Sequence, residues 1–129
     1  SSYDIAIVYI PDEILESNTT LGSIPFIPLI EDSMTLKEGE YVYCAGYPAQ
    51  DEYAEKYLMT LDSSRVTKIE GNYFEHNLET LRGNSGSPIM IKRNGKFFVV
   101  GVNSIKENGT LIHSRRKKTI ELWKKELKN

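Results

Sequence analysis

A serine in a glycine-rich run, Ser85 in RGNSGSP, is the residue best placed to do chemistry in this sequence. A serine hydroxyl becomes a nucleophile only if a base removes its proton and a positive pocket receives the negative oxygen formed on the substrate. Gly83 allows the backbone to turn so that the N–H groups of residues 83 and 85 can point into one cavity. The run is therefore a candidate nucleophile loop for acyl transfer.

The same run has two other interpretations. Gly, Asn and Ser dominate ordinary turns, so GNSGS is also typical of a turn without chemistry. A glycine two residues before a serine also occurs in the nucleophile elbow of α/β-hydrolases, where a strand precedes the serine and a helix follows it. Here the stretch IMIKRNGKFFVV follows, which has the pattern of a β-hairpin. The motif alone leaves the nucleophile and the plain turn open.

The elements around this loop are predicted to be mostly strands. A chain of 129 residues with 40% hydrophobic content is long enough for one core. Short strand-like runs at close intervals predict an all-β barrel or sandwich. The runs are residues 41–45, 57–61, 64–69, 77–81, 89–92 and 97–104. Asn94-Gly95 predicts a tight hairpin turn, because both residue types tolerate positive φ.

The two ends of the chain have different patterns. Residues 4–10, DIAIVYI, form an apolar run rich in β-branched residues and predict a buried strand. Residues 12–36 are irregular and predict an extended connector. Near the other end, Ile120, Trp123 and Leu127 recur at spacings of three and four, which predicts a helix over 114–127 that packs one face on the barrel.

Composition and motifs argue against several classes of partner. A net charge of −2 gives no basic surface for nucleic acid. Cys44 is the single cysteine, so no internal disulfide can form, and we expect a buried core thiol. We find no membrane-length apolar run, metal-ligand spacing or phosphate loop, and predict no membrane span, metal, nucleotide or other cofactor. The compartment stays open, and an export signal, if any, is expected upstream.

Five segments in order along the chain resemble bacterial trypsin-like serine proteases, namely the HtrA proteases and the staphylococcal glutamyl endopeptidase and exfoliative toxin group. The segments are DIAIVYI, LKEGEYVYCAGYP, RGNSGSPIM, GVNSIKENG and TIELWKKEL. The resemblance implies an all-β fold: the second six-stranded barrel of a chymotrypsin-like double β-barrel, with the Asp-bearing strand of the first barrel and a C-terminal helix. It divides the chain into residues 1–36 (last strand of the first barrel and connector), 37–113 (second barrel) and 114–129 (helix).

The resemblance also assigns roles to individual residues. Asp4 becomes the acid that orients a histidine, Ser85 the nucleophile, and the N–H groups of Gly83 and Ser85 the oxyanion hole. Ser104 falls where these enzymes have a serine beside the aspartate, and an extended substrate is expected to add to this edge as a strand. The residues expected to bind substrate are Glu79, Thr80, Arg82, Asn103, Ser104, Ile105 and Lys106.

The family's general base, a histidine of the first barrel, is expected upstream of Asp4. Neither His76 nor His113 matches its position, and each is interpreted as a surface or pocket-lining imidazole. Since serine and histidine act as a unit, we expect this chain alone to be almost inert. Three explanations stay open: a protease cut between its barrels, a two-chain protease, or a non-catalytic module that binds peptides or proteins on the same scaffold.

The substrate preference is expected to depend on Glu79 and Asn103. Glutamyl endopeptidases have a histidine at the position of Asn103, which helps to receive the glutamate of the substrate. Glu79 lies six residues before Ser85, where trypsin has the aspartate of its pocket floor. A carboxylate in a narrow pocket would favour Lys or Arg and disfavour acidic residues at P1, unless Glu79 points outward on its strand.

Overall fold

Six antiparallel strands in the computed structural model close into one barrel. The structure describes residues 6–18, 26–47, 59–71, 73–78, 85–104, 108–111 and 114–128. The strands are β1 (Tyr41–Gly46), β2 (Thr60–Glu70), β3 (Tyr73–His76), β4 (Pro88–Arg93), β5 (Lys96–Asn103) and β6 (Asn108–Leu111). The helices are α1 (Asp12–Ser17) and α2 (Ser114–Lys128).

The strands follow the order β1-β2-β3-β6-β5-β4 around the barrel, and β4 pairs back with β1. Each described strand therefore has two neighbours, and every second side chain can point inward. In β1 this alternation buries Val42 and Cys44. The apolar core of the described residues comprises Ile30, Leu36, Val42, Cys44, Val66, Phe74, Leu78, Ile89, Ile91, Phe98, Val100 and Ile120. The all-β, chymotrypsin-like barrel predicted from the sequence is confirmed.

The hairpin predicted at Asn94-Gly95 is also confirmed. These residues join β4 to β5 and have φ angles of 51° and 78°. Positive φ at both positions gives the turn a twist that matches the twist of the strands. Arg93 and Lys96 form the last pair of the ladder beside the turn.

Some strand boundaries differ from the prediction. The runs 57–61 and 64–69 were predicted as two strands, but residues 60–70 form the single strand β2 of 11 residues. One half of β2 pairs with β1 and the other half with β3, and a register shift lies between Val66 and Lys68. A long strand of a closed barrel changes neighbours along its length in this way.

The strand predicted over 77–81 is wrong in position for its described residues. β3 ends at His76, residues 77 and 78 belong to no strand, and residues 79–81 lie outside the described residues. β6, with the sequence NGTL, lies outside the predicted strand-like runs, because it lacks a β-branched or aromatic run.

The segment before the barrel is mostly irregular. Residues 6–10 belong to no strand or helix; Ile7 packs against the core, whereas Val8 is 84% exposed. A strand needs a neighbour for its backbone hydrogen bonds, and this segment has none among the described residues. The connector contains the unpredicted helix α1. Further along the connector, the Ile30 N–H donates to the Val99 carbonyl of β5, and the Val99 N–H donates to the Pro28 carbonyl.

The C-terminal helix α2 confirms the helix predicted over 114–127, but its apolar face is only partly covered. Ile120 is 7% exposed and joins the core, Trp123 is half-buried, and Leu127 is 46% exposed. Neither described helix is long and apolar enough to cross a membrane.

Candidate active site

Ser85 lies on an exposed turn directly before β4. Gly86, the next residue, has a φ of 87°, in the left-handed region that favours glycine. The backbone directly after Ser85 is fixed to the end of β5: the Gly86 N–H donates to the Asn103 carbonyl (2.8 Å), and the Asn103 N–H donates to the Ser87 carbonyl (2.9 Å). These two bonds present the Ser85 side chain to solvent on a fixed backbone.

The hydroxyl of Ser85 donates a hydrogen bond to the backbone carbonyl of Ser104, with an Oγ–O distance of 3.2 Å. This contact brings the predicted nucleophile and the predicted substrate-binding strand together. A peptide carbonyl is too weak a base to remove the hydroxyl proton, so the contact orients Ser85 without activating it. Activation requires a base that reaches the hydroxyl from the exposed side.

Asn103, at the end of β5, supports the Ser85 turn through its backbone. Asn103 is only 3% exposed and is therefore buried in the barrel wall, while its backbone holds the Ser85 turn. The sequence suggested a side-chain role toward substrate for Asn103. Its backbone role depends on strand pairing between distant segments, and no sequence signal besides the neighbouring Ser104 could have indicated it.

His76 is fully buried at the end of β3, with 0% of its surface exposed. Its Nδ1 atom accepts a hydrogen bond from the Leu78 N–H at 3.2 Å, so this nitrogen carries no proton in the structure. The His76 ring lies 6.0 Å from the Phe74 ring, centroid to centroid. A buried imidazole that is held in this way is a structural residue and not a base for the exposed Ser85.

A family comparison decides what kind of protein carries this arrangement. The model of the trypsin-like peptidase domain matches residues 1–102. The chain belongs to the trypsin-like peptidase family. This membership agrees with the six-stranded barrel and with an exposed serine held at the end of a barrel strand.

Several residues that the sequence assigns to the site of this trypsin-like peptidase lie outside the described residues. They are Asp4, Glu79, Thr80, Arg82, Gly83, Ile105, Lys106 and His113. Their roles stay predictions. Of the predicted site residues, the structure brings together Ser85, Asn103 and Ser104.

Cys44 of the peptidase barrel is buried, as predicted, with 5% of its surface exposed. Burial raises the pKa of its thiol to about 11, and the nearby charge of Asp62 adds to the effect. The reactive thiolate is therefore scarce at neutral pH. Within the described part of the chain, no three His, Cys, Asp or Glu residues cluster closely enough to hold a metal ion.

The raised pKa of Cys44 predicts a loss of stability at alkaline pH. The folded thiol titrates at about 11 and the ordinary value is 9.0, so the unfolded chain loses this proton first. The free energy of unfolding should fall as pH rises from about 9 to about 11. Urea unfolding across this range, with Cys44→Ala as the reference, measures the effect; parallel pH curves for the two proteins would contradict it.

The positive φ of Gly86 predicts a measurable loss of stability when alanine replaces this glycine. An added Cβ at Gly86 would meet no atom of the described residues within 4 Å, and Gly86→Ala strains the backbone at φ 87°. Gly39 is a matched control, since it has a φ of 83° and equally open space. Both alanine variants should lose about 1 to 2 kcal/mol of unfolding free energy, measured by urea denaturation.

Of these two variants, only Gly86→Ala should also slow covalent labelling of Ser85 by a fluorophosphonate, because Gly86 adjoins Ser85 and Gly39 does not. The labelling is measured on the protein that also contains a first barrel. Equal slowing by Gly39→Ala would show that lost stability, and not the turn at Ser85, controls the rate.

Proposed function

We propose that the chain is the C-terminal catalytic portion of a trypsin-like serine endopeptidase, which cleaves peptide bonds through an acyl-enzyme at Ser85. The observation that carries the proposal is the exposed Ser85 on its Gly86 turn, held by two backbone hydrogen bonds against the end of β5. Membership of the trypsin-like peptidase family supports a peptide or protein as substrate.

In the proposed reaction the Ser85 oxygen attacks the carbonyl carbon of the peptide, and its proton passes to a histidine. The negative oxygen of the tetrahedral intermediate is received by the N–H groups of Gly83 and Ser85. The amine then leaves with the proton from the imidazolium, and water releases the acyl group by the same steps. Before attack, the Ser85 hydroxyl must leave the Ser104 carbonyl, which then becomes available to a substrate N–H.

We assign the general base to a histidine of a first barrel outside these 129 residues, with Asp4 as the acid that orients it. The burial of His76 supports this assignment, because a base must reach the exposed Ser85. Residues 7–10 support a partner barrel as well: Val8 is 84% exposed, and an apolar cavity of about 220 Å³ separates this segment from Lys124 and Leu127 of α2. Exposed apolar surface of this kind is typical of an interface.

The finer assignments belong to the same proposal. We place the last strand of the first barrel and the connector in residues 1–36, the nucleophile-bearing barrel in 37–113 and the closing helix in 114–129. Within the family, the motifs quoted above resemble those of the HtrA proteases and of the staphylococcal glutamyl endopeptidase and exfoliative toxin group.

A non-catalytic module that binds peptides on the same scaffold is the alternative. Such a module needs the substrate groove but not a reactive serine. A fluorophosphonate separates the two, because it forms a stable covalent bond only with an activated serine. Labelling of Ser85 in the protein with its first barrel supports the peptidase, and absence of labelling together with peptide binding supports the module.

Glu79 predicts the substrate preference of the completed enzyme. If its carboxylate lies in the pocket, peptides with Lys or Arg at P1 should be cleaved at least about tenfold faster than those with Glu, since a buried carboxylate repels a like charge. A peptide library profiles this preference, and Glu79→Gln is the isosteric control without charge. Strong cleavage after Glu would contradict the assignment, and an unchanged profile in Glu79→Gln would place Glu79 outside the pocket.

A further inference from the structure

Two side chains fix the backbone at the point where the chain leaves β3. The Ser64 hydroxyl of β2 accepts a hydrogen bond from the Asn77 N–H (3.0 Å), and His76 Nδ1 accepts one from the Leu78 N–H (3.2 Å). Both N–H groups come directly after the strand ends at His76. We propose that Ser64 and His76 are positioning residues for the substrate pocket, a role that rests on the proposed peptidase function.

The Ser64 hydroxyl is oriented by two hydrogen bonds, one that it donates and one that it accepts. It donates to the Arg65 carbonyl (3.3 Å) while it accepts from Asn77. A hydroxyl that already donates in one direction presents its lone pairs in the other. Ser64 is therefore set to hold one particular backbone N–H.

His76 is held more rigidly still. Its side chain has no exposed surface and lies in ring contact with Phe74. Leu78, whose N–H it receives, is 3% exposed and belongs to the apolar core. The position of the acceptor and the position of the donor are thus both fixed by core packing.

The segment fixed in this way leads directly to the residues that decide specificity in the proposed enzyme. Glu79 and Thr80 follow Leu78 in the sequence, and Ser85 comes after them. The sheet ladder does not determine the direction of the chain beyond His76, since the pairing of β3 with β2 ends there. Ser64 and His76 instead hold Asn77 and Leu78, the two residues directly before Glu79.

The test measures peptide binding without turnover, in the Ser85→Ala form of the protein with its first barrel. Three peptides that differ only at P1, with Lys, Leu or Glu, are titrated by fluorescence anisotropy. The parent is expected to distinguish the best from the worst peptide by about tenfold or more. Ser64→Ala and His76→Leu should bring that ratio to within about threefold.

Two control variants separate positioning from general stability. Ser63→Ala alters the neighbouring serine on the opposite face of β2 and should leave the ratio unchanged. His76→Asn retains an acceptor close to the position of Nδ1 and should preserve most of the ratio. Amide hydrogen exchange provides a structural readout: protection at Asn77 should fall in Ser64→Ala, and protection at Leu78 should fall in His76→Leu and persist in His76→Asn.

A common weakening of all three peptides, an unchanged ratio in both Ser64→Ala and His76→Leu, or a parent that does not distinguish the peptides would overturn the positioning role. Failure of the peptidase proposal has a different signature. In that case the protein with Ser85 intact hydrolyses no peptide, while the binding ratio still responds to Ser64 and His76.

Discussion

Replacement of Ser85 by alanine in the protein with its first barrel is expected to lower kcat for peptide hydrolysis by about 10⁴-fold or more. The alanine cannot form the acyl-enzyme, so only binding and oxyanion stabilisation remain to accelerate the reaction. Because the turn is held by backbone bonds of Gly86, Ser87 and Asn103, the fold should survive the change. The measurement is kcat with a fluorogenic peptide, together with circular dichroism of the variant.

Ser87→Ala is the matched control for this experiment. Ser87 lies two residues further along the same turn and contacts Asn103 through its backbone carbonyl, which alanine retains. Its kcat should stay within about tenfold of the parent, since truncation of a partly exposed hydroxyl removes no reacting group. Equal losses in Ser85→Ala and Ser87→Ala would mean that the turn matters but Ser85 is not the nucleophile.

The second large effect is expected from the base. The 129-residue chain by itself should hydrolyse peptides at least about 10³-fold more slowly than the same chain in the presence of a first barrel. The structure supports this expectation, because His76 is fully buried and its Nδ1 is engaged with Leu78. Hydrolysis is measured for the chain alone and with the first barrel linked or added.

His76→Ala and His113→Ala complete the comparison. Neither histidine is expected to supply residual turnover in the isolated chain. If the isolated chain did hydrolyse peptides, and if the activity disappeared in one of these variants, that histidine would be the base and the assignment of the base to a first barrel would be wrong.

The barrel could be predicted from the sequence where local signals agree with the long-range pairing. Asn94-Gly95 indicates its hairpin because the turn type depends on these two residues alone. The run around Val42 indicates a strand because every second side chain enters the core, whereas the run around Ile89 is continuously apolar and buries three consecutive residues.

Prediction failed where long-range contacts decide the structure. β2 is one strand because it has different neighbours along its two halves, and β6 exists because β3 and β5 both pair with it. The exposed run at residues 8–10 has the composition of a strand but no ladder among the described residues. Residues with strand propensity form a strand only where a neighbouring strand is available for their backbone hydrogen bonds.

The candidate site was likewise predictable from the sequence only in part. Ser85 is recognisable from residue type as a candidate nucleophile, and Gly86 as a residue suited to a left-handed turn. The hydrogen bond from Ser85 to the Ser104 carbonyl and the support of the turn by the Asn103 backbone are not recognisable in this way. Backbone groups carry no sequence signal, so these contacts required the structure.

Trapping of the covalent intermediate tests the central claim most directly. The protein with its first barrel is mixed with an activated peptide ester, quenched in acid within the first turnover, digested and analysed by tandem mass spectrometry. We expect the acyl group on Ser85, with none in the Ser85→Ala variant. An acyl group on another residue, or ester hydrolysis without any acylated Ser85, would contradict the claim that this chain carries the nucleophile of a serine endopeptidase.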